Sequence, residues 1–257
     1  MGFARSSRKC FKMKKLYYDF HIHSCLSPCA DDDMTPNNIA GMAKIKGLDI
    51  VALTDHNTCG NCRSFIAAAE NQGIIGIAGM ELTTSEDIHI VCLFEHLEDA
   101  ERFSSEVEGY RVPFENRVDI FGEQYYLDEN DEVVGTEKNY LPIATGLDIE
   151  TATALAREHG GFVWPAHIDR ESNGIVAVLG TLPDRPEYTA IELNKAESFD
   201  GLCESIPSLK DKAVLVSSDA HYLWDINEAE NSIELEADGD EPNEIRRALF
   251  EYLKSFK

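Results

Sequence analysis

Seven short apolar runs, each bounded by turn-forming residues, punctuate the chain at 16–20, 49–53, 74–78, 88–93, 162–166, 189–193 and 213–217. Runs of that length with polar ends read as buried strands. Helical patterns lie between several of them. Thr35 and Pro36 supply the N-cap and first turn of a helix that reaches about Lys46, where Gly47 stops it. Residues 61–72 and 149–159 repeat the pattern, the second framed by Asp148 and Gly160-Gly161. A last helix from Pro242 places Ile245, Leu249, Leu253 and Phe256 on one face. Strands that alternate with helices pair in parallel through right-handed crossovers. The expected fold is therefore α/β: a distorted seven-stranded (βα) barrel, TIM-like but one strand short.

Two stretches depart from this rhythm. Residues 95–147 are acidic and rich in Tyr and Phe, and Gln124 to Val134 read as a hairpin turning near Glu129-Asn130. This stretch is expected as an insertion over one barrel end. Residues 1–12 precede Met13-Lys14-Lys15 and read as an unstructured leader, leaving 13–257 as one domain. No apolar run approaches the roughly 18 residues of a membrane span, and no apolar segment follows the basic start, so a cytoplasmic protein without membrane attachment is expected. Seven cysteines, an odd number in a chain able to build its own core, point to reduced thiols.

The eight histidines are not scattered. His21, His23, His56, His167 and His221 fall at or just beyond the ends of predicted strands, and Asp19, Asp55, Glu81 and Asp219 hold comparable positions. In α/β barrels that rim carries the active site, because the loops after the strands converge there. His21 and His23 share strand periodicity, so they face one side and can bind one ion. A lone histidine at a strand end is more often a hydrogen-bonded structural residue; agreement among several strand ends reverses that reading. His21, His23, His56, Glu81, His89, His167, Asp219 and His221 make eight candidate ligands, too many for one ion. Mixed nitrogen and oxygen donors suit hydrolytic clusters of Mn, Fe or Zn better than structural zinc. Two or three divalent ions about 3.5–4 Å apart would need this many donors, could bridge a hydroxide and could neutralise charge on a phosphoryl oxygen. His96 and His159 fit no such role.

Together Asp19-x-His21-x-His23, Thr54-Asp55-His56, Gly79-Met-Glu81, His89, Pro165-Ala-His167 and Ser218-Asp219-Ala-His221 resemble the polymerase and histidinol phosphatase (PHP) family of metal-dependent phosphoesterases. The resemblance runs from about Tyr17 to Tyr222. It implies a distorted seven-stranded barrel with a trinuclear Mn, Fe or Zn centre at the strand ends. It also implies His21, His23 and His56 as ligands, Glu81 as a bridging carboxylate, His89 and His167 in the more buried part, and Asp219 with His221 closing the site. Asp19 and Asp55 are expected behind the ligands, fixing histidine tautomers. Family members carry one more ligand in the loop after the histidine pair. Here that loop offers Asp31, Asp32 and Asp33, of which Asp31 is the expected equivalent.

Arg170 follows His167 by three residues and could hold a substrate phosphate bidentately, with a surface ion pair as the alternative. Lys195 is a weaker candidate for the same task. Cys25 and Cys29 with Cys59 and Cys62 lie on the first two loops and leave a four-sulfur site open, against ordinary packing. The expected reaction is hydrolysis of a phosphate ester by a metal-bridging hydroxide, with Asp55 or water protonating the leaving group. The formal net charge is -24, and six of the 23 basic residues precede the first strand. So acidic a body disfavours long nucleic acids but not a small phosphorylated molecule, a nucleotide or a short oligonucleotide. An exonuclease, a metal-dependent amidohydrolase and an inactive metal-binding module are the rival readings.

Overall fold

The computed structural model describes residues 12–256. In chain order its elements are β1 (Lys12–Asp19), α1 (Pro36–Ile45), β2 (Ile50–Leu53), α2 (Cys62–Asn71), β3 (Ile75–Thr83), β4 (His89–Phe94), α3 (Leu97–Glu108) and α4 (Val118–Phe121). They continue with β5 (Tyr125–Leu127), β6 (Val133–Thr136), α5 (Ile149–Glu158), β7 (Phe162–Pro165), α6 (Ile175–Leu179), β8 (Ala190–Leu193), β9 (Ala213–Val216), β10 (Ser232–Ala237) and α8's predecessor α7 (Phe199–Ser205), which lies between β8 and β9. The last described element is α8 (Pro242–Lys254). Helix boundaries follow local chemistry. Thr35 caps α1 by accepting from the Asn38 N–H, Asp148 caps α5 by accepting from the Thr151 N–H at 2.7 Å, and Gly47 adopts φ 77° just past α1.

The architecture is a mixed α/β fold. One sheet has the order β10-β1-β2-β3-β4-β7, and β8 pairs with β9 in a separate parallel sheet. Of the expected distorted seven-stranded barrel, the main sheet holds five of the predicted strands and the separate sheet the other two. All seven predicted strands form, but the β8-β9 pair meets the main sheet through a few backbone bonds: Ile168 N–H to the Glu192 carbonyl at 2.9 Å on one side, and His23 N–H to the Ala220 carbonyl at 3.0 Å and Ala220 N–H to the His21 carbonyl at 3.4 Å on the other. The reason is β10, which pairs antiparallel with β1 along Lys12 to Tyr17 and takes the edge that β9 would need. Parallel pairing between the β1 and β9 extensions survives only at Ile22 and Ala220.

One correction concerns β4, which runs antiparallel to both β3 and β7. Only five residues, 84–88, join β3 to β4, and a parallel crossover needs a dozen or more. Its first residue, His89, therefore lies at the same rim as the last residues of β2, β3 and β7. The expected leader, residues 1–12, lies outside the described residues except for Lys12, which already belongs to β1. Within 95–147, α3 packs on the body through Ala100, Phe103 and Val107. The β5-β6 hairpin sits over the loops after β1 and β2, with Asn61 and Ser64 bonded to it and Asp131 accepting from Thr35 and Asn37.

One apolar cluster, including Ile39, Phe65, Phe94 and Phe103, lies between the sheet and its helices. A second, including Phe20, Ile50, Ile77 and Trp164, lies on the other face and is joined by β10 and by Ile245, Leu249 and Leu253 of α8. Gly79 keeps β3 and β4 in close contact, since a Cβ there would meet the Cys92 carbonyl at 3.0 Å. Among the described residues no helix is long and apolar enough to cross a membrane.

Candidate metal centre

Six strands deliver side chains to one rim: β1 leads into His21 and His23, β2 into His56, β7 into His167, and β9 into Asp219 and His221, while β3 carries Glu81 and β4 begins with His89. Glu81 is the hub. Its Oε1 lies 2.7 Å from His89 Nδ1, 2.9 Å from His167 Nε2 and 3.3 Å from His21 Nε2. Its Oε2 lies 3.0 Å from His56 Nδ1 and 3.2 Å from His23 Nε2. Asp219 Oδ1 is 3.1 Å from His23 Nε2 and 3.4 Å from His21 Nε2.

Three donor groups result, each with its ligand atoms within 4.8 Å of one another: His21, His23, Glu81 and Asp219; His56, Glu81 and His89; and His23, His56 and His221. Glu81 belongs to two of them. His56 Nδ1, Glu81 Oε2 and His167 Nδ1 are buried without a hydrogen-bond partner among the described residues, although the first two are close neighbours. Orphaned buried polar atoms cost on the order of 1–3 kcal/mol each. Imidazoles and carboxylates converging on one buried point fit a cation, and the donor set suits divalent ions that accept both imidazole and carboxylate.

Burial depresses His23, yet hydrogen bonds and charge from Asp219 and Glu81 prevail and lift it to about 9. His56 also reaches about 9 against burial, through the neighbouring Cys29 and Glu81, and His21 is raised well above its ordinary value by Glu192, Glu81 and Asp219. Burial would raise Glu81 and Asp219, but the surrounding histidines hold both well below the usual carboxylate range. Burial and neighbouring imidazoles depress His89, and bring His221 to about 4. Shared protons thus stabilise the carboxylates where cations would otherwise do so. His167 (φ 27°) and Asp219 (φ 55°) hold left-handed backbone conformations, a strain typical of functional sites.

Other expected residues are placed differently. The Asp31 carboxylate accepts from the Asp33 N–H at 2.9 Å, and Asp31 joins none of the three donor groups; its backbone N–H donates to the His221 carbonyl. The loop side chain beside His56 is Cys29. Asp55 is buried with both oxygens occupied, accepting from the Ser24 N–H and hydroxyl and from the Ser27 hydroxyl at 2.7–2.8 Å. Through these bonds Asp55 braces the loop that carries His23. Asp19 accepts from the Ser218 and Asn227 N–H groups, and so fixes backbone in place of an imidazole tautomer. Arg170 lines the cavity and contacts Asp219 Oδ2. Lys195 is exposed outside the cavity, its N–H bonded to Asp169. The four cysteines form no common group: Cys59 and Cys62 donate to the Gly79 carbonyl, and among the described residues no metal-ligand group contains sulfur.

Two residues that contact the cluster escaped the sequence reading. Glu192, fully buried on β8, accepts from His21 Nδ1 at 2.7 Å, from the His167 N–H at 3.1 Å and from Trp164 Nε1 at 3.3 Å. Ser27 sits 3.1 Å from His23 Nδ1. Each fixes the ring so that Nε2 faces the cluster. Glu192→Gln should weaken divalent-ion affinity by about 10–100-fold with Glu81 and its contacts intact. Isothermal titration of the metal-free variant would read this, and unchanged affinity would remove Glu192 from the site.

Residues 19–235 match the PHP domain family. A 5'-3' exoribonuclease of Haemophilus influenzae is 35% identical over 79 residues, covering 30% of this chain and only 28% of that protein. The lesion-specific endonuclease EndoQ of Pyrococcus furiosus superimposes with a TM-score of 0.60 at 18% identity, over 93% of this chain and 56% of that one. A Bifidobacterium adolescentis chain assigned as a metal-dependent phosphoesterase gives 0.57 at 18% identity, over 90% and 95%.

Proposed function

Because the chain belongs to the PHP domain family of metal-dependent phosphoesterases, we propose that it hydrolyses the phosphate ester of a small phosphorylated molecule or nucleotide at a centre of two or three divalent ions. The observation that carries this reading is the set of three overlapping donor groups sharing Glu81, His23 and His56. Divalent cations held there would supply Lewis acidity for hydrolysis at phosphorus. His21, His23, Glu81 and Asp219 would hold one ion, with His56, His89, His167 and His221 serving the others. Glu192 and Ser27 keep the imidazoles turned inward, and Asp55 keeps the loop after β1 in place. Arg170, already at the cavity wall, offers N–H donors to a phosphate oxygen. With both Asp55 oxygens engaged, the leaving group takes its proton from water. A cavity of about 100 Å³ is lined by His56, Glu81, His89, His167, Asp219 and His221 together with Arg170.

A second reading, exonucleolytic trimming of short oligonucleotides, is favoured by the partial match to the exoribonuclease. One experiment weighs both. The protein is stripped of metal, reloaded with Mn, Fe or Zn, and assayed on p-nitrophenyl phosphate, its bis ester and a short oligonucleotide, beside His21→Ala. Turnover should require the cation and fall roughly 10²–10³-fold in the variant. Metal-independent turnover or an undiminished variant would reject the mechanism. Preference for the oligonucleotide would select the second reading.

A further inference from the structure

One imidazole nitrogen binds one ion, and by that limit the donor group of His23, His56 and His221 is short of ligands. His23 also belongs to the group with Asp219 and Glu81, yet it has a single nitrogen to give. Its Nδ1 lies 3.1 Å from the Ser27 hydroxyl, and its Nε2 faces Asp219 at 3.1 Å and Glu81 at 3.2 Å. With His23 committed to that first ion, His56 and His221 remain for another. His221 Nδ1 lies 2.8 Å from the Asp219 carbonyl, which leaves Nε2 as its lone-pair donor. His56 is 5% exposed, and its Nδ1 is buried without a hydrogen-bond partner among the described residues. Two neutral imidazoles make half of a tetrahedral site and bring no negative charge to it. The Asp31 carboxylate, turned to the Asp33 N–H, does not complete the set.

The loop that holds Asp31 carries another donor. The Ser27 hydroxyl accepts from the His56 N–H at 3.1 Å, and the Asp31 N–H donates to the His221 carbonyl at 2.9 Å. The loop is thus tied to the backbone of both histidines, and Cys29 stands two residues from each tie, within about 7 Å of both along the chain. Its thiol lies against the His56 ring. Cys29 is exposed, whereas Cys25, Cys59, Cys62, Cys92 and Cys203 are buried.

We infer that Cys29 is a metal ligand whose thiolate joins His56 and His221 on one ion of the centre and gives that position a preference for zinc or ferrous iron over manganese or magnesium. The inference rests on the metal centre of the phosphoesterase reading above and adds sulfur to its donors. In the ion-free chain the sulfur stands outside the three donor groups. The side chain is exposed and its sulfur turns about a single bond, so no packing holds it away from His56. On coordination the thiol gives up its proton to solvent. Soft thiolate favours zinc and iron, whereas carboxylate and water favour manganese and magnesium. The group with two carboxylates, Glu81 and Asp219, and the position with one sulfur therefore differ in the ion they prefer.

The test uses the whole protein, stripped of metal and loaded with Co(II), which reports thiolate ligation by a sulfur-to-cobalt charge-transfer band in the near ultraviolet. The band is expected in the original protein and absent from Cys29→Ser and Cys29→Ala. Cys29→Ala should bind roughly one zinc ion fewer per chain by plasma spectrometry, and Cys29→Asp should regain that ion without the band. In parallel, iodoacetamide should label Cys29 in the metal-free protein, and zinc should slow the labelling roughly tenfold or more while manganese slows it less. Cys29 is exposed, so none of these substitutions threatens the fold. Cobalt bound without the band, a band that persists in Cys29→Ser, full zinc content in Cys29→Ala, or equal protection by zinc and manganese would each overturn the assignment. Failure to bind any cobalt would overturn the centre along with it. None of these readouts needs turnover: a protein that shows the band and hydrolyses no ester keeps Cys29 as a ligand and loses only the phosphoesterase reading.

Discussion

Glu81→Gln should leave a folded protein that neither retains its divalent ions nor turns over substrate, with kcat/KM reduced on the order of 10³-fold or more. The substitution preserves shape and one acceptor oxygen, so the loss isolates charge and bridging. Glu81 is fully buried and lies within 3.3 Å of five imidazoles, His21, His23, His56, His89 and His167. An amide presents an N–H₂ group where the carboxylate offers a lone pair, and one of the two donor groups that share Glu81 then lacks its anionic member. Removing one partner from a buried charged network also leaves the others uncompensated. Metal content by inductively coupled plasma spectrometry and kcat/KM after reconstitution would be measured together. A variant with full metal content and activity within about tenfold of the original would show that Glu81 is structural.

Much of this site was readable in the chain because strand ends are written in local signals. An apolar run followed by His-x-His or Asp-His states both where a strand stops and what stands on the rim, and Glu81, His167, Asp219 and His221 follow the same grammar. What stayed hidden depends on long-range pairing. Glu192 lies inside a strand, between Ile191 and Leu193, and its partners His21 and Trp164 are remote in sequence. A carboxylate between buried apolar neighbours nevertheless demands a buried partner, and that was the available signal. The strand β10 was equally visible in principle. Its Ser-Ile-Glu-Leu-Glu-Ala alternation gives exposed Ser232, Glu234 and Glu236 against buried Ile233, Leu235 and Ala237, a half-solvated edge strand disguised by its acids.

The direction of β4 was legible from the short connection that precedes it, and that direction is why His89 meets Glu81. Asp31 stands apart from the three donor groups, because its position after the histidine pair says nothing of where the carboxylate turns. With Asp33 N–H within reach, a local cap competes with a ligand role. Asp55 is held in a comparable way: two serines on the preceding loop engage both of its oxygens.

The metal-free protein should be most stable near pH 6.5 and should lose stability toward pH 9 and above, and divalent ions should remove that loss. Native His23 and His56 titrate near 9 and His21 higher than its ordinary value, against about 6.5 for an unfolded histidine. Between those values the native state binds more protons than the unfolded chain, so stability falls as pH rises through the window. The stake is about 1.4 kcal/mol for each pKa unit of difference. His89 and His221 are depressed, the latter to about 4, so below 6.5 the unfolded chain binds more protons and stability falls with decreasing pH. Cations that displace the shared protons abolish the alkaline limb, because those imidazoles are then neutral in both states. The rise in Tm on adding Mn should therefore be larger at pH 8.5 than at pH 6.5, and titration at pH 7.5 in buffers of different ionisation enthalpy should report release of about two to three protons. A Tm increment independent of pH, with no proton release, would mean that the histidines around Glu81 are not the groups that the ions engage.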